Sequence, residues 1–190
     1  MSRKRVAVLI SGRGSNLKAL LDAAQDAYEI ALVIANVPGA GGLDYARAAG
    51  VPALTIDHKP FGKDREAFER ELDAALRAHD VGLVALAGFM RVLTPFFVRA
   101  WAGRLVNVHP SLLPKYPGVK THQRALEAGD AEHGCTVHLV VEAVDSGAIL
   151  GQARMPILPG DTPATLAERV LTLEHELYPR CLAELASTTS

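Results

Sequence analysis

Short unbroken apolar runs alternate with segments of helical period along the first 109 residues, and this alternation restricts the fold more than any other feature. Residues 6–10, 30–35, 52–56, 83–87 and 105–109 read as strands. A strand covered on both faces needs no polar alternation. Between these runs, Leu17, Leu20, Leu21 and Ala24 recur at helical spacing. Residues 43–49 form a short helix closed by Gly50, and Phe68, Leu72, Ala75, Leu76 and His79 make one helical stripe over 64–79. Thr94-Pro95 opens a further short helix, with threonine as cap and proline at the first helical position. Such alternation predicts a parallel sheet with helices on both faces. Later, residues 136–141 and 148–157 flank a turn at Asp145-Ser146-Gly147, which predicts a hairpin. A helix is expected near 122–128. Thr162-Pro163 starts a last one, with Leu166, Val170, Leu173 and Leu177 on one face. The expected fold is therefore α/β: a Rossmann-like, mostly parallel sheet with an antiparallel C-terminal extension.

At 190 residues, with 49% hydrophobic and 22% charged side chains, the chain has the composition of an ordinary globular protein. One domain is expected over 1–186, its N-terminal half for phosphate and its C-terminal half for catalysis. Residues 187–190 read as a short polar tail. A net charge of −1 gives no global electrostatic case for nucleic acid or an anionic membrane. No apolar run reaches the roughly 20 residues of a membrane span. The basic start, Ser2 to Arg5, precedes an apolar run too short for a signal peptide, so 6–10 reads as a buried strand. Cys135 and Cys181 form no C-x-x-C and point to a cytoplasmic setting. The seven histidines show no metal spacing, so no metal is expected.

In a sheet of this kind, ligands lie beyond the carboxyl ends of the strands. Four loops therefore matter: those after Ile10, Ala35, Ala87 and His109. The first reads Ser11-Gly12-Arg13-Gly14-Ser15-Asn16. Gly12 and Gly14 let the backbone approach a ligand, and the free amides of the next helix favour a phosphate. Ser15 and Asn16 add donors, or simply cap that helix. Leu17 stands where the dinucleotide fingerprint has its third glycine, and Asn36 where it has a ribose acid. A monophosphate fits better than NAD or ATP.

Asn107 and His109, two apart on a strand, share one face, with Val106 and Val108 on the other. An amide beside an imidazole can hold the oxygen of a tetrahedral intermediate, or the pair can simply fix a loop. Asp145 is ordinary turn chemistry, or a carboxylate that orients His109 and stabilises its charged form. Residues 88–93 pack the core or line a flat pocket. Glu174 lies about 70° from the centre of the last helical stripe, where it faces solvent or reaches a cleft. His175 lies opposite the stripe and is expected to be exposed.

The run from Asn107 to Gly118, NVHPSLLPKYPG, resembles the folate-dependent formyltransferases. Together with Ser-Gly-x-Gly-Ser-Asn at 11–16, it resembles the branch acting on 5′-phosphoribosylglycinamide (GAR). The likeness runs from Ile10 to Pro179. It implies formyl transfer from 10-formyltetrahydrofolate, a co-substrate, to the GAR amine in purine biosynthesis, without a metal. Asn107, His109 and Asp145 match the catalytic trio. Gly12, Gly14, Ser15, Asn16 and Glu174 match the GAR site. Arg65, Met90, Arg91, Val92 and Leu93 match positions around the folate, as do Asn107, Val141, Glu142, Ala143, Val144 and Asp145. A cis peptide before Pro114 is also implied.

Two departures stand out: nothing basic lies between Asn36 and Arg47, and Ala148 replaces a common proline. The partners implied are the two small molecules, with no nucleic acid and no membrane, the protein being a monomer or homodimer. The alternatives are a formyltetrahydrofolate hydrolase and a non-catalytic folate- or nucleotide-binding regulator.

Overall fold

The computed structural model describes residues 3–24 and 27–188. Seven strands form one sheet: β1 (Lys4–Ile10), β2 (Tyr28–Ala35), β3 (Ala53–Thr55), β4 (Leu83–Leu86), β5 (Leu105–His109), β6 (Glu132–Leu139) and β7 (Ile149–Pro156). Six helices flank it: α1 (Ser15–Ala23), α2 (Gly42–Ala48), α3 (Arg65–Ala78), α4 (Pro95–Ala100), α5 (Thr121–Glu127) and α6 (Pro163–Thr188). The strand order is β3-β2-β1-β4-β5-β6-β7. The first five strands are parallel, and β6 and β7 are antiparallel. The mixed sheet expected from the sequence is present.

Successive residues of β1 feed opposite layers. Val6, Val8 and Ile10 pack with Leu17, Leu20, Val170, Leu177 and Tyr178 on the α1/α6 side. Ala7 and Leu9 pack with Phe68, Leu72, Leu76, Phe97 and Trp101 on the α3/α4 side. That is why the run carries no polar residue: neither face of the strand meets water. The α3 stripe buries Phe68, Leu72 and Leu76, and Asp64 caps the helix by accepting the Ala67 amide at 3.0 Å.

Three local expectations are corrected. Thr94 occupies the cap position of α4, but its side chain makes no capping bond. Its hydroxyl is drawn instead to the buried carboxylate of Glu69. Ser187 and Thr188, read as tail, belong to α6, which runs through Pro179 to Thr188; residues 189–190 lie outside the described residues. Pro179 removes a helical hydrogen bond. The helix survives it by burying Tyr178, Cys181, Leu182 and Ala186. The Tyr178 hydroxyl reaches the carbonyls of Leu86 (2.9 Å) and Val106 (3.1 Å), fixing α6 beneath the ends of β4 and β5. His175 is half-buried rather than exposed, with its Nε2 enclosed.

Candidate active site

Strand order reverses at β1, whose neighbours are β2 and β4, so a crevice opens at the carboxyl ends of these strands. Three loops meet there through Ser11. Its hydroxyl donates to Asn36 Oδ1 (2.6 Å) and accepts the Met90 amide (2.8 Å). Gly14, at φ 75°, is the cap residue of α1. A Cβ there would lie 2.7 Å from the Cα of Gly42, so two glycines let the loops after β1 and β2 touch. No side chain caps α1, which leaves its first amides available to an anion. Ser15 and Asn16 are therefore not the caps.

The Asn16 side chain is buried and donates to Glu174 Oε2 at 2.8 Å, across 158 residues of sequence. Its Oδ1 has no partner among the described residues. Glu174 is thus buried against the start of α1, not turned to solvent. Burial raises its pKa, opposed by the Asn16 amide.

On β5, Val106 and Val108 join the α1/α6 core, so Asn107 and His109 face the other way. Strand β6 adds to that face, its His138 beside Asn107 and its Thr136 beside His109. Asp145, at φ 51°, projects from the loop after β6 and accepts the Gly118 amide at 2.8 Å. Its Oδ2 lies 3.5 Å from His109 Nδ1, and its Oδ1 lies 3.7 Å from His138 Nε2. The other His109 nitrogen, Nε2, lies 2.8 Å from the Tyr116 carbonyl. Acceptors thus face both ring nitrogens. His138 differs. Its Nδ1 faces the Leu139 carbonyl at 2.9 Å, and burial lowers its pKa against the pull of that carbonyl and of Asp145.

Beside this trio lies a cleft enclosing about 150 Å³. That is smaller than the roughly 300–1,000 Å³ of a whole drug-sized site, so the cleft suits the ring end of a ligand whose remainder lies on open surface. Of the residues expected around a folate, Arg91, Val92, Leu93, Asn107, Val141, Glu142, Val144 and Asp145 line it. Arg65, Met90 and Ala143 do not. Arg65 reaches the Val92 carbonyl at 3.3 Å, and Met90 is 76% exposed. His109 touches Asp145 without lining the enclosed volume.

Sequence reasoning missed Leu86, Val98, His138 and Val140 in this lining, which also takes in Phe89 from the 88–93 stretch. His138 was within reach of a register argument, since it pairs directly with Asn107. The Leu113–Pro114 peptide is cis. His122 and His133, with no metal spacing between them, meet at 2.9 Å; burial lowers the pKa of both, that of His133 to about 4.

A doubly wound sheet with an anion-ready loop, a buried acid and an amide–imidazole–carboxylate cluster defines an α/β group-transfer enzyme. The chain belongs to the formyl transferase family, whose profile matches residues 4–182. It is 45% identical to the phosphoribosylglycinamide formyltransferase of Escherichia coli strain K12, over 95% of this chain and 86% of that protein. It is 55% identical to the trifunctional purine biosynthetic protein adenosine-3 of Drosophila melanogaster, over 99% of this chain but only 14% of the relative's length. Among solved structures, the phosphoribosylglycinamide formyltransferase of Brucella melitensis superposes with a TM-score of 0.93 at 47% identity, covering 100% of this chain and 98% of that one.

Proposed function

We propose that this chain transfers the formyl group of 10-formyltetrahydrofolate to the primary amine of GAR, a step of purine synthesis. The observation that carries the reading is the meeting of Asn107 and His109, neighbours on one face of β5, with Asp145, remote along the chain. The GAR phosphate lies on the loop Gly12, Gly14, Ser15 and Asn16, with Glu174 near the ribose and glycinamide end. The folate ring enters the cleft bounded by Arg91 to Leu93 and Val141 to Asp145. Arg65, Met90 and Ala143 act from outside it.

The amine attacks the formyl carbon, a C–N bond forms, and the carbonyl π electrons move to oxygen. Asn107 donates to that oxygen. Because Nε2 of His109 is taken by the Tyr116 carbonyl, Nδ1 serves the reacting group, with Asp145 balancing the imidazolium charge. Collapse breaks the bond to folate N10. The proton lost by the amine ends on N10, giving formyl-GAR and tetrahydrofolate. The attacking amine must be neutral, so the rate falls at low pH.

Both cysteines are free and buried, in keeping with a reducing cytoplasmic setting. The protein works as a monomer or homodimer on two small molecules.

The experiment is loss of the formyl group from 10-formyltetrahydrofolate with GAR present or absent. Transfer that requires GAR supports the reading. Formate release without GAR would mark a hydrolase, and binding without turnover a regulator. Either result would contradict it.

A further inference from the structure

The proline-rich loop between β5 and α5 turns at Tyr116, whose φ of 56° lies in the left-handed region that a residue with a Cβ rarely adopts. At this turn the Tyr116 carbonyl meets His109 Nε2 at 2.8 Å and the Ser111 hydroxyl at 3.3 Å. A conformation of this kind persists only where its surroundings over-determine it. Here they do so through the side chain. The Tyr116 hydroxyl donates to Asp130 Oδ2 at 2.7 Å, just beyond the end of α5. Lys115 Nζ holds the other carboxylate oxygen at 2.9 Å, and the Arg124 guanidinium lies 5.2 Å from the tyrosine ring centre. None of these groups lines the folate cleft.

We infer that Tyr116, tethered through its hydroxyl to Asp130, is a positioning residue for His109: its left-handed carbonyl holds the Nε2 proton and so aims Nδ1 at Asp145 and the reacting group. The inference rests on the formyl-transfer reading for its kinetic consequence, but not for the state of the ring. The titratable groups around His109 are Asp145, His138, His122 and His133. Tyr116→Phe leaves all four and their charges in place; Asp130 also acts on His133 through its charge, which Asp130→Ala and Asp130→Asn remove alike.

The test combines kinetics with the ring nitrogen NMR signals of His109. Tyr116→Phe keeps the ring and removes the tether. Its kcat should fall about tenfold, the scale of a slightly misplaced catalytic group, with KM for both substrates within twofold. The His109 spectrum should change from a fixed Nε2 proton to an averaged one. Asp130→Ala should do the same, and Asp130→Asn, which still accepts the hydroxyl, should restore most of the rate. The double variant Tyr116→Phe/Asp130→Ala should be no worse than either single one. Melting curves identify any variant unfolded at the assay temperature; Asp130→Ala then carries the test in place of Tyr116→Phe. An unchanged His109 spectrum with kcat within twofold of the parent would overturn the inference, as would additive losses in the double variant. If the parent forms no formyl-GAR, the proposed function fails, while the NMR comparison still decides the tether.

Discussion

In the proposed reaction three side chains carry the chemistry; strand parity aims Asn107 and His109, and the return of the loop after β6 brings Asp145 to them. Asn107 faces the cleft because strand parity sends Val106 and Val108 to the core. Losing an oxyanion donor costs on the order of 100–1,000-fold in turnover, so Asn107→Ala and His109→Ala should each fall by that factor, measured as kcat on folded protein. Glu174 tests the opposition between site and stability. Burial raises its pKa, so its ionised form is disfavoured in the native state. The associated stability is present below the ordinary carboxyl range and is lost as pH rises through the raised value. Glu174→Gln keeps an acceptor for Asn16 and removes the charge. It should raise the melting temperature at neutral pH, leave it unchanged in acid, and raise KM for GAR. A lower melting temperature at neutral pH would contradict this account of the site. At this scale the sequence was legible where parity or helical period applied, at Asn107, His109 and Glu174. It was silent on Tyr116, because no local pattern marks either its left-handed turn or the tether of its hydroxyl to Asp130.

Among the elements, α3 and the loop leading into α4 act together. Glu69, buried on α3, accepts the Thr94 amide at 2.7 Å and binds its hydroxyl, while Arg65 on the same helix reaches Val92. The cleft loop is thus held from behind. Glu69→Ala leaves both Thr94 donors without their acceptor, a loss of about 1–3 kcal/mol. It should raise KM for the folate several-fold and leave KM for GAR unchanged in steady-state assays. The contact between α5 and β6 sets a pH response. His133 has its pKa lowered to about 4 by burial, His122 adding to the shift. The unfolded chain binds a proton near pH 6.5 that the native state does not take up, so stability falls as pH drops from about 6.5 towards 4. His133→Gln, which cannot titrate, should flatten the denaturation curves over that window. The strands and α1 to α4 were readable because periodicity marks them. The loop after β6 was not, because β6 runs antiparallel to β5. Its exit lies at the amino end of β5, where the Val140 amide bonds the Leu105 carbonyl, and only a fold-back over the sheet brings Asp145 to His109.

For the molecule as a whole, one mixed sheet places an anion loop at β1 and a ring-sized cleft at β4 to β6, so two substrates can meet across the strand ends. On the proposed reading both substrates bind only the folded chain. Each should therefore raise the melting temperature, by about 2.7 kcal/mol of stability at 100 times its dissociation constant. Phosphate-free glycinamide riboside should do so far less than GAR. The alternation of apolar runs made this architecture legible before any coordinates. The convergence of residues 16 and 174, and of 109 and 145, depends on helix docking and loop return, which no local pattern encodes. The most direct measurement follows the carbon itself, using 10-formyltetrahydrofolate isotopically labelled in the formyl group, with GAR and purified protein. The label should appear on the GAR nitrogen, mole for mole with tetrahydrofolate released. Label recovered as formate, or remaining on the folate with well-folded enzyme, would contradict the account.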